Sequence, residues 1–252
     1  MNKPIAKTPP KTDAGRYFYS IATMLLLGLV VVGFQLFYFH SRMYPGRPLT
    51  PPIKTLIITH SVAMSLWMLL AIGQPWLIAG GHRRLHMTLG KVAAVIAACL
   101  VVLGGKLAVA AAKVAPPGLM YGPFTPKQFM AVPIGVITLF ALFVIAGVAW
   151  RKRPDIHKPL MFLASLAAVA AAIARIDFLN HLYAGTLWQK LFGDFFFTVV
   201  AGGIFFGAKC LVFRKFDRWF AMGYVLLALW YLLIVRLMPT PWWYGVASFL
   251  LR

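Results

Sequence analysis

The sequence predicts an all-α, polytopic transmembrane bundle of about seven helices, with its N-terminus in the cytoplasm and its C-terminus outside. Three observations predict it. Hydrophobic residues make up 61% of the 252 residues and charged residues only 12%, whereas soluble domains sit near 45–50% apolar and about 25% charged. Seven apolar runs, near 17–39, 55–79, 89–112, 128–150, 159–180, 194–213 and 219–238, approach the ~20 residues that cross hydrocarbon. Lys and Arg fall unequally on the two sides that these runs define, 14 against 8, and the richer side is the cytoplasmic one.

The first run follows Lys3, Lys7, Lys11 and Arg16, a basic stretch like the n-region of a signal peptide. The run is too long for an h-region and no small-x-small cleavage site follows, so it reads as a retained anchor. The division is a basic cytoplasmic tail over 1–16 and one transmembrane domain over 17–252. In the second run His60, Trp67 and Gln74 recur at seven-residue steps on one face. That face turns inward, because lipid offers His or Gln no partner. The fourth run carries Pro133 near its outer end, where proline is tolerated. The fifth has Ala164, Ala168, Ala171 and Ala172, and the sixth Gly203 and Gly207, small residues of the kind that let helices approach in lipid. Tyr17, Tyr19, Tyr38, Trp76, Trp150, Trp188, Trp219, Trp242 and Trp243 mark the ends of runs, as interfacial aromatics do.

The net charge of +20 is a topology signal, since it sits in short loops between apolar runs; a nucleic-acid partner is not expected. Cys99 and Cys210 lie in different runs without a Cys or His at ligand spacing, and read as inert buried thiols. No catalytic triad, phosphate loop, paired Glu residues or thiolate cluster is present, which argues against hydrolysis and nucleotide chemistry; no metal site is assigned. A retinal lysine at Lys209 is rejected, because the residue lies on the sixth run near the cytoplasm and the third run has no carboxylate. Snorkelling accounts for Lys106 and Lys209.

A weak internal repeat runs through the cytoplasmic turns. Leu85-His86-Met87-Thr88-Leu89 and Ile156-His157-Lys158-Pro159-Leu160 both read aliphatic-His-x-x-Leu at the start of a helix. The corresponding third turn has Asp217 in place of the His. One anchor helix followed by three related hairpins would produce this pattern.

The segments His82-Arg83-Arg84-Leu85-His86 to Gly90 and Arg153-Pro154-Asp155-Ile156-His157-Lys158-Pro159-Leu160-Met161, with Ile173-Ala174-Arg175, resemble a widespread group of uncharacterised bacterial multi-pass membrane proteins. That group carries H-R-x-L-G and R-P-x-x-H-K-x-L-M loops. The likeness runs from about His60 to the end of the chain, and the group often has His near the position of Asp217, where this chain departs. The group brings no function with it. A weaker similarity, through the His-x-x-Leu-Met stretch, runs to small membrane proteins that assist haem-copper oxidase assembly. The layout of several helices bearing His is also similar to b-type membrane cytochromes.

Candidate site residues fall into two sets. Ionisable groups at membrane depth are costly and mark function; here His40, His60, Arg175, Asp177 and Asp194, with His181 and Arg236 nearby, gather at the outer end as a polar pocket. For Arg175 an inward ion pair is expected; for Arg236, snorkelling. The second set is cofactor-binding: His60, His86, His157 and His181 as axial ligands of haem b, with the alternative that the loop His residues only organise the hairpin turns. Three functions stay open: a haem b electron carrier in a bacterial inner membrane, an accessory or assembly subunit of a larger (respiratory) membrane complex, and a small-solute transporter with an outward-facing pocket. Lipid is the partner common to all three.

Overall fold

The computed structural model describes residues 13–44, 46–49 and 51–252. Among them seven helices are long and apolar enough to cross a membrane: Gly15–Gly33, Lys54–Ala79, Arg83–Lys113, Pro126–Ala149, Pro154–Ile173, Leu187–Phe213 and Arg218–Leu237. The chain is the multi-pass helical bundle that its apolar runs predict. The basic tail expected over 1–16 lies outside the described residues as far as residue 12.

The boundaries depart from the apolar runs for local reasons. The first run is broken: α1 (Asp13–Gly33) ends, and α2 (Gln35–His40) resumes after Phe34. A two-residue antiparallel ladder follows, β1 (Arg42–Met43) with β2 (Arg47–Pro48). α3 is Lys54–Ala79. α4 (Arg83–Lys113) starts well before its apolar run, so His86 belongs to its first turns and not to a loop. α5 (Pro126–Phe129) is a single turn with a capping box between Thr125 and Gln128, and leads into α6 (Ala131–Ala149). α7 (Pro154–Ile173) stops earlier than its run; the chain bends through Ala174–Ile176 into α8 (Asp177–His181). α9 (Leu187–Phe192) and a 3₁₀ turn at Gly193–Phe195 precede α10 (Phe196–Phe213). α11 (Arg218–Leu237) is followed by α12 (Pro241–Leu250), which the apolar runs do not announce. Thr240 caps α12, its Oγ1 accepting from the Trp243 N–H at 3.2 Å.

α7 is the axis of the bundle. Two thirds of its span (67%) is buried, against 39% or less in every other span, and it packs against α1, α3, α6, α10 and α11. Lipid supplies no hydrophobic drive between helices, so close backbone approach has to hold them together. α7 permits it with Ala164, Ala167, Ala170 and Ala172, all fully buried. Four neighbours answer with glycine. Gly33 of α1 abuts the Ala172 carbonyl. Gly147 of α6 lies where a Cβ would sit 2.7 Å from Met161 Sδ, and Gly202 of α10 where it would sit 3.2 Å from Leu166. Gly223 of α11 abuts Leu163. The sequence pointed to Gly203 and Gly207 as contact residues. Gly203 is one, a Cβ there lying 3.1 Å from the hydroxyl of Tyr224 of α11, which also packs on Gly202; a Cβ on Gly207 would meet nothing, because α10 turns that side away from its neighbours. Cys99 likewise departs from expectation: it is exposed on the outer flank of α4, though free, as is Cys210.

Gly33→Ala is expected to lower the thermal midpoint in detergent, with a cost of about 1–3 kcal/mol from forcing a methyl group onto the α7 backbone. Gly28→Ala, in the same helix and facing open space, is expected to leave the midpoint unchanged or raise it.

Candidate functional site

Polar groups concentrate at two ends of the bundle. The basic end carries the turns with Arg83 and Arg84, Arg151–Arg153, and Arg214–Arg218. There each His of the repeat is tied to the helix before it. His157, in the first turns of α7, sets Nδ1 2.8 Å from the Gly147 carbonyl of α6. His86, in the first turns of α4, sets Nδ1 3.3 Å from the Gln74 carbonyl of α3. The Gln74 side chain also lies against α4. With its amide nitrogen turned toward His86, it is placed to donate to the His86 carbonyl at 3.1 Å or to share the imidazole Nδ1, while its oxygen accepts from the Gly90 N–H at 3.2 Å. Gly147 has no Cβ, so α7 starts close enough for the imidazole to reach. These bonds close the α3–α4 and α6–α7 hairpins; the Gly147 carbonyl is among the last four of α6, which have no partner within their own helix, whereas Gln74 lies further inside α3.

The third hairpin is closed differently. Asp217 Oδ1 accepts from the N–H groups of Trp219 (3.0 Å) and Phe220 (2.9 Å), capping α11. Asp217 Oδ2 pairs with Lys209 of α10, which also donates to the Tyr19 hydroxyl of α1. The Lys209 and Asp217 side chains are only 10% and 18% exposed. Lys209 therefore does not snorkel; it is a buried cation neutralised within the protein. Above it Nζ lies 5.5 Å from the Phe220 ring centroid. At the same end Arg153 pairs with Asp155 at 3.1 Å and lies 5.6 Å over the Trp219 ring.

His60, Trp67 and Gln74 do face inward together. Trp67 is buried, its Nε1–H donating to Ser165 Oγ of α7 at 3.3 Å, with its ring edge-on to Phe140 at 5.0 Å. His60 faces α4, where a Cβ on Gly104 would lie 3.6 Å from its Cε1. Its Nδ1 is buried and has no hydrogen-bond partner among the described residues.

The opposite end gathers Arg175, Asp177 and Asp194. Where α7 ends, the half-buried Arg175 side chain folds back to donate to the Ala171 carbonyl. Its guanidinium lies 5.0 Å over the Phe34 ring and 6.0 Å over that of Tyr44. The expected ion pair is absent: no carboxylate oxygen of a described residue comes within 4.0 Å of it, although the charges of Asp194, Tyr44 and Tyr121 act on it from further off. Asp177 instead accepts from the Tyr44 hydroxyl through Oδ1, at 2.6 Å. Burial lowers the Arg175 pKa. The bond to Asp177, with burial second, pushes the Tyr44 phenol up to about 12. Burial and then the charge of Asp194 do the same to Tyr183, whose hydroxyl donates to the Gly193 carbonyl at 3.0 Å. Tyr121 stacks on Phe129 with centroids 4.2 Å apart.

The structure thus assembles Arg175, Asp177 and Asp194, and adds Phe34, Tyr44 and Tyr121, which no spacing or motif announces. It does not bring His60 into this group; His40 and His181 lie exposed, as does Arg236. Among the described residues no three His, Cys, Asp or Glu side chains form a metal-binding group. Two recesses are open grooves of about 450 and 190 Å³, lined by Tyr17, Met24 and Trp76 in one case and by Phe37, Tyr38 and Leu66 in the other. Compared with protein-family models, curated proteins and solved structures, the chain matches none.

Lys209→Met is expected to cost about 3–5 kcal/mol, because it leaves Asp217 buried without its cation. The double variant Lys209→Met/Asp217→Asn is expected to recover most of that loss, since Asn still caps α11. Thermal midpoints of the two in one detergent check the order. His157→Ala is expected to cost less, about 1 kcal/mol for one hydrogen bond.

Proposed function

We propose that the protein is a non-catalytic binding or accessory protein of a bacterial inner membrane, and that its recognition element is the Arg175 cluster on the outer face. The excess of Lys and Arg at the basic end supports placing that end in the cytoplasm, with the N-terminus inside and the C-terminus outside. The observation that carries the reading is a half-buried guanidinium resting on aromatic rings with no carboxylate within 4.0 Å among the described residues. A charge held out of water calls for a partner, and Arg offers five donors in a planar fork, of which one is used by Ala171. At the other end the histidines are consumed as hairpin staples and Lys209 is already paired. The likeness of the two His-bearing turns to loops of other bacterial multi-pass proteins fits such a structural role.

A second reading, a haem b electron carrier, has its own support. His86 and His157 hold Nδ1 on backbone carbonyls, the arrangement that orients a ligating imidazole and leaves Nε2 for iron, and the charge of His157 reaches His86. They are the axial pair this reading would use, with His60 and its unpartnered Nδ1 as a further ligand. Haem would supply one-electron transfer.

Native mass spectrometry of protein released from mild detergent tests the first reading. Wild type is expected to retain a small polar or amphiphilic molecule that Arg175→Gln loses at an unchanged thermal midpoint; equal retention by both makes the cluster purely structural. The same preparation, oxidised and then reduced with dithionite, is expected to be colourless, and sharp α and β bands at near-stoichiometric haem would replace the first reading with the second. A C-terminal reporter fusion is expected to be active only outside the cytoplasm.

A further inference from the structure

We propose that the Arg175 cluster binds a zwitterionic phosphate–ammonium headgroup, that of phosphatidylethanolamine, with the phosphate on the Arg175 guanidinium and the ammonium between Asp177 and Asp194. This rests on the binding reading above and names its ligand. Charge is the first argument. One cation and two carboxylates share the site: Arg175, Asp177 and Asp194 each act electrostatically on Tyr44. A simple anion would be repelled by the two carboxylates and a simple cation by Arg175. A dipolar ion satisfies both signs at once.

Geometry is the second. The guanidinium fork matches phosphate oxygens two at a time. Asp177 has Oδ1 occupied by the Tyr44 hydroxyl, which orients the carboxylate and leaves Oδ2 to accept from an ammonium. Asp177 and Asp194 are both exposed, so the ammonium can reach them from outside, while Arg175 is half-buried beneath.

Depth and lining are the third, and they favour a lipid over a free solute. The cluster sits just beyond the ends of α1 and α7 and before α10, at the end of the spans whose flanking stretches carry the exposed Trp188, Trp242 and Tyr244; such aromatics occupy the headgroup region. One helical turn on from Phe34, an open groove of about 190 Å³ between α2 and α3 is lined by Phe37, Tyr38, Ile58, Val62 and Leu66, with Ser61 and Ser65 among them. Its walls are mainly apolar, which suits an acyl chain whose headgroup is fixed at Arg175.

The test is a lipid titration of the full chain in detergent, read by native mass spectrometry, with dioleoyl-phosphatidylethanolamine, -phosphatidylglycerol and -phosphatidylcholine as probes. Phosphatidylethanolamine is expected to bind at least tenfold tighter than phosphatidylglycerol, which lacks the ammonium, and tighter than phosphatidylcholine, whose ammonium has no N–H to donate. Arg175→Gln is expected to abolish that preference. Asp177→Asn, which keeps an acceptor for Tyr44, is expected to bring phosphatidylethanolamine and phosphatidylglycerol closer together, and guards against an Arg175 variant that fails to fold. Equal or tighter binding of phosphatidylglycerol, or a preference unchanged in both variants, overturns the proposal. Displacement of the lipid by an equal concentration of phosphoethanolamine overturns the lipid assignment. An Arg175-dependent adduct on the native protein that is not a phospholipid overturns this inference and leaves the binding reading standing.

Discussion

The bundle depends on how closely four helices can approach one. In water an apolar core would be assembled by exclusion from solvent; in lipid the flanks of every helix are as well solvated as its contact face. What selects this arrangement is steric: α7 is lined with alanine, and α1, α6, α10 and α11 each meet it through a glycine. The contact between Gly33 and Ala172 has a second effect. It brings the break between α1 and α2 to the end of α7, and so places the Phe34 ring under the guanidinium of Arg175. The packing of the interior and the composition of the outer cluster are therefore one fact seen at two depths.

Polar chemistry follows the same economy. Helix ends leave backbone groups without partners in their own helix, and each hairpin sets a side chain against the backbone at its turn. Two hairpins use an imidazole on a carbonyl. The third uses a carboxylate that caps the next helix and must then be neutralised, which accounts for a lysine at a depth where lysines are otherwise rare.

Much of this was legible in the sequence. Seven apolar runs announced seven spans, because hydrocarbon thickness sets a length that composition alone reveals. The inward face of His60, Trp67 and Gln74 was legible from spacing, as was the kinship of the turns at His86, His157 and Asp217. The short helices were hidden: α2 and α8 are continuous in hydropathy with α1 and α7, and only backbone contact at Gly33 and the bend after Ile173 separates them. What each of Gly202, Gly203 and Gly207 meets depends on helix rotation, which a small-residue pattern does not fix. The role of Lys209 was misread because its partner lies across a turn, and the bond between Asp177 and Tyr44 was hidden because Tyr44 belongs to a loop distant in sequence.

The Lys209–Asp217 pair also ties distant stretches of sequence together. The pair itself closes the hairpin between α10 and α11, while its hydroxyl partner, Tyr19, lies in α1. Taken alone, that hairpin can neutralise its lysine but cannot supply the phenol, so it completes its hydrogen bonds only by docking against α1. The same ammonium that balances a helix cap is thus a clasp between two segments some 190 residues apart.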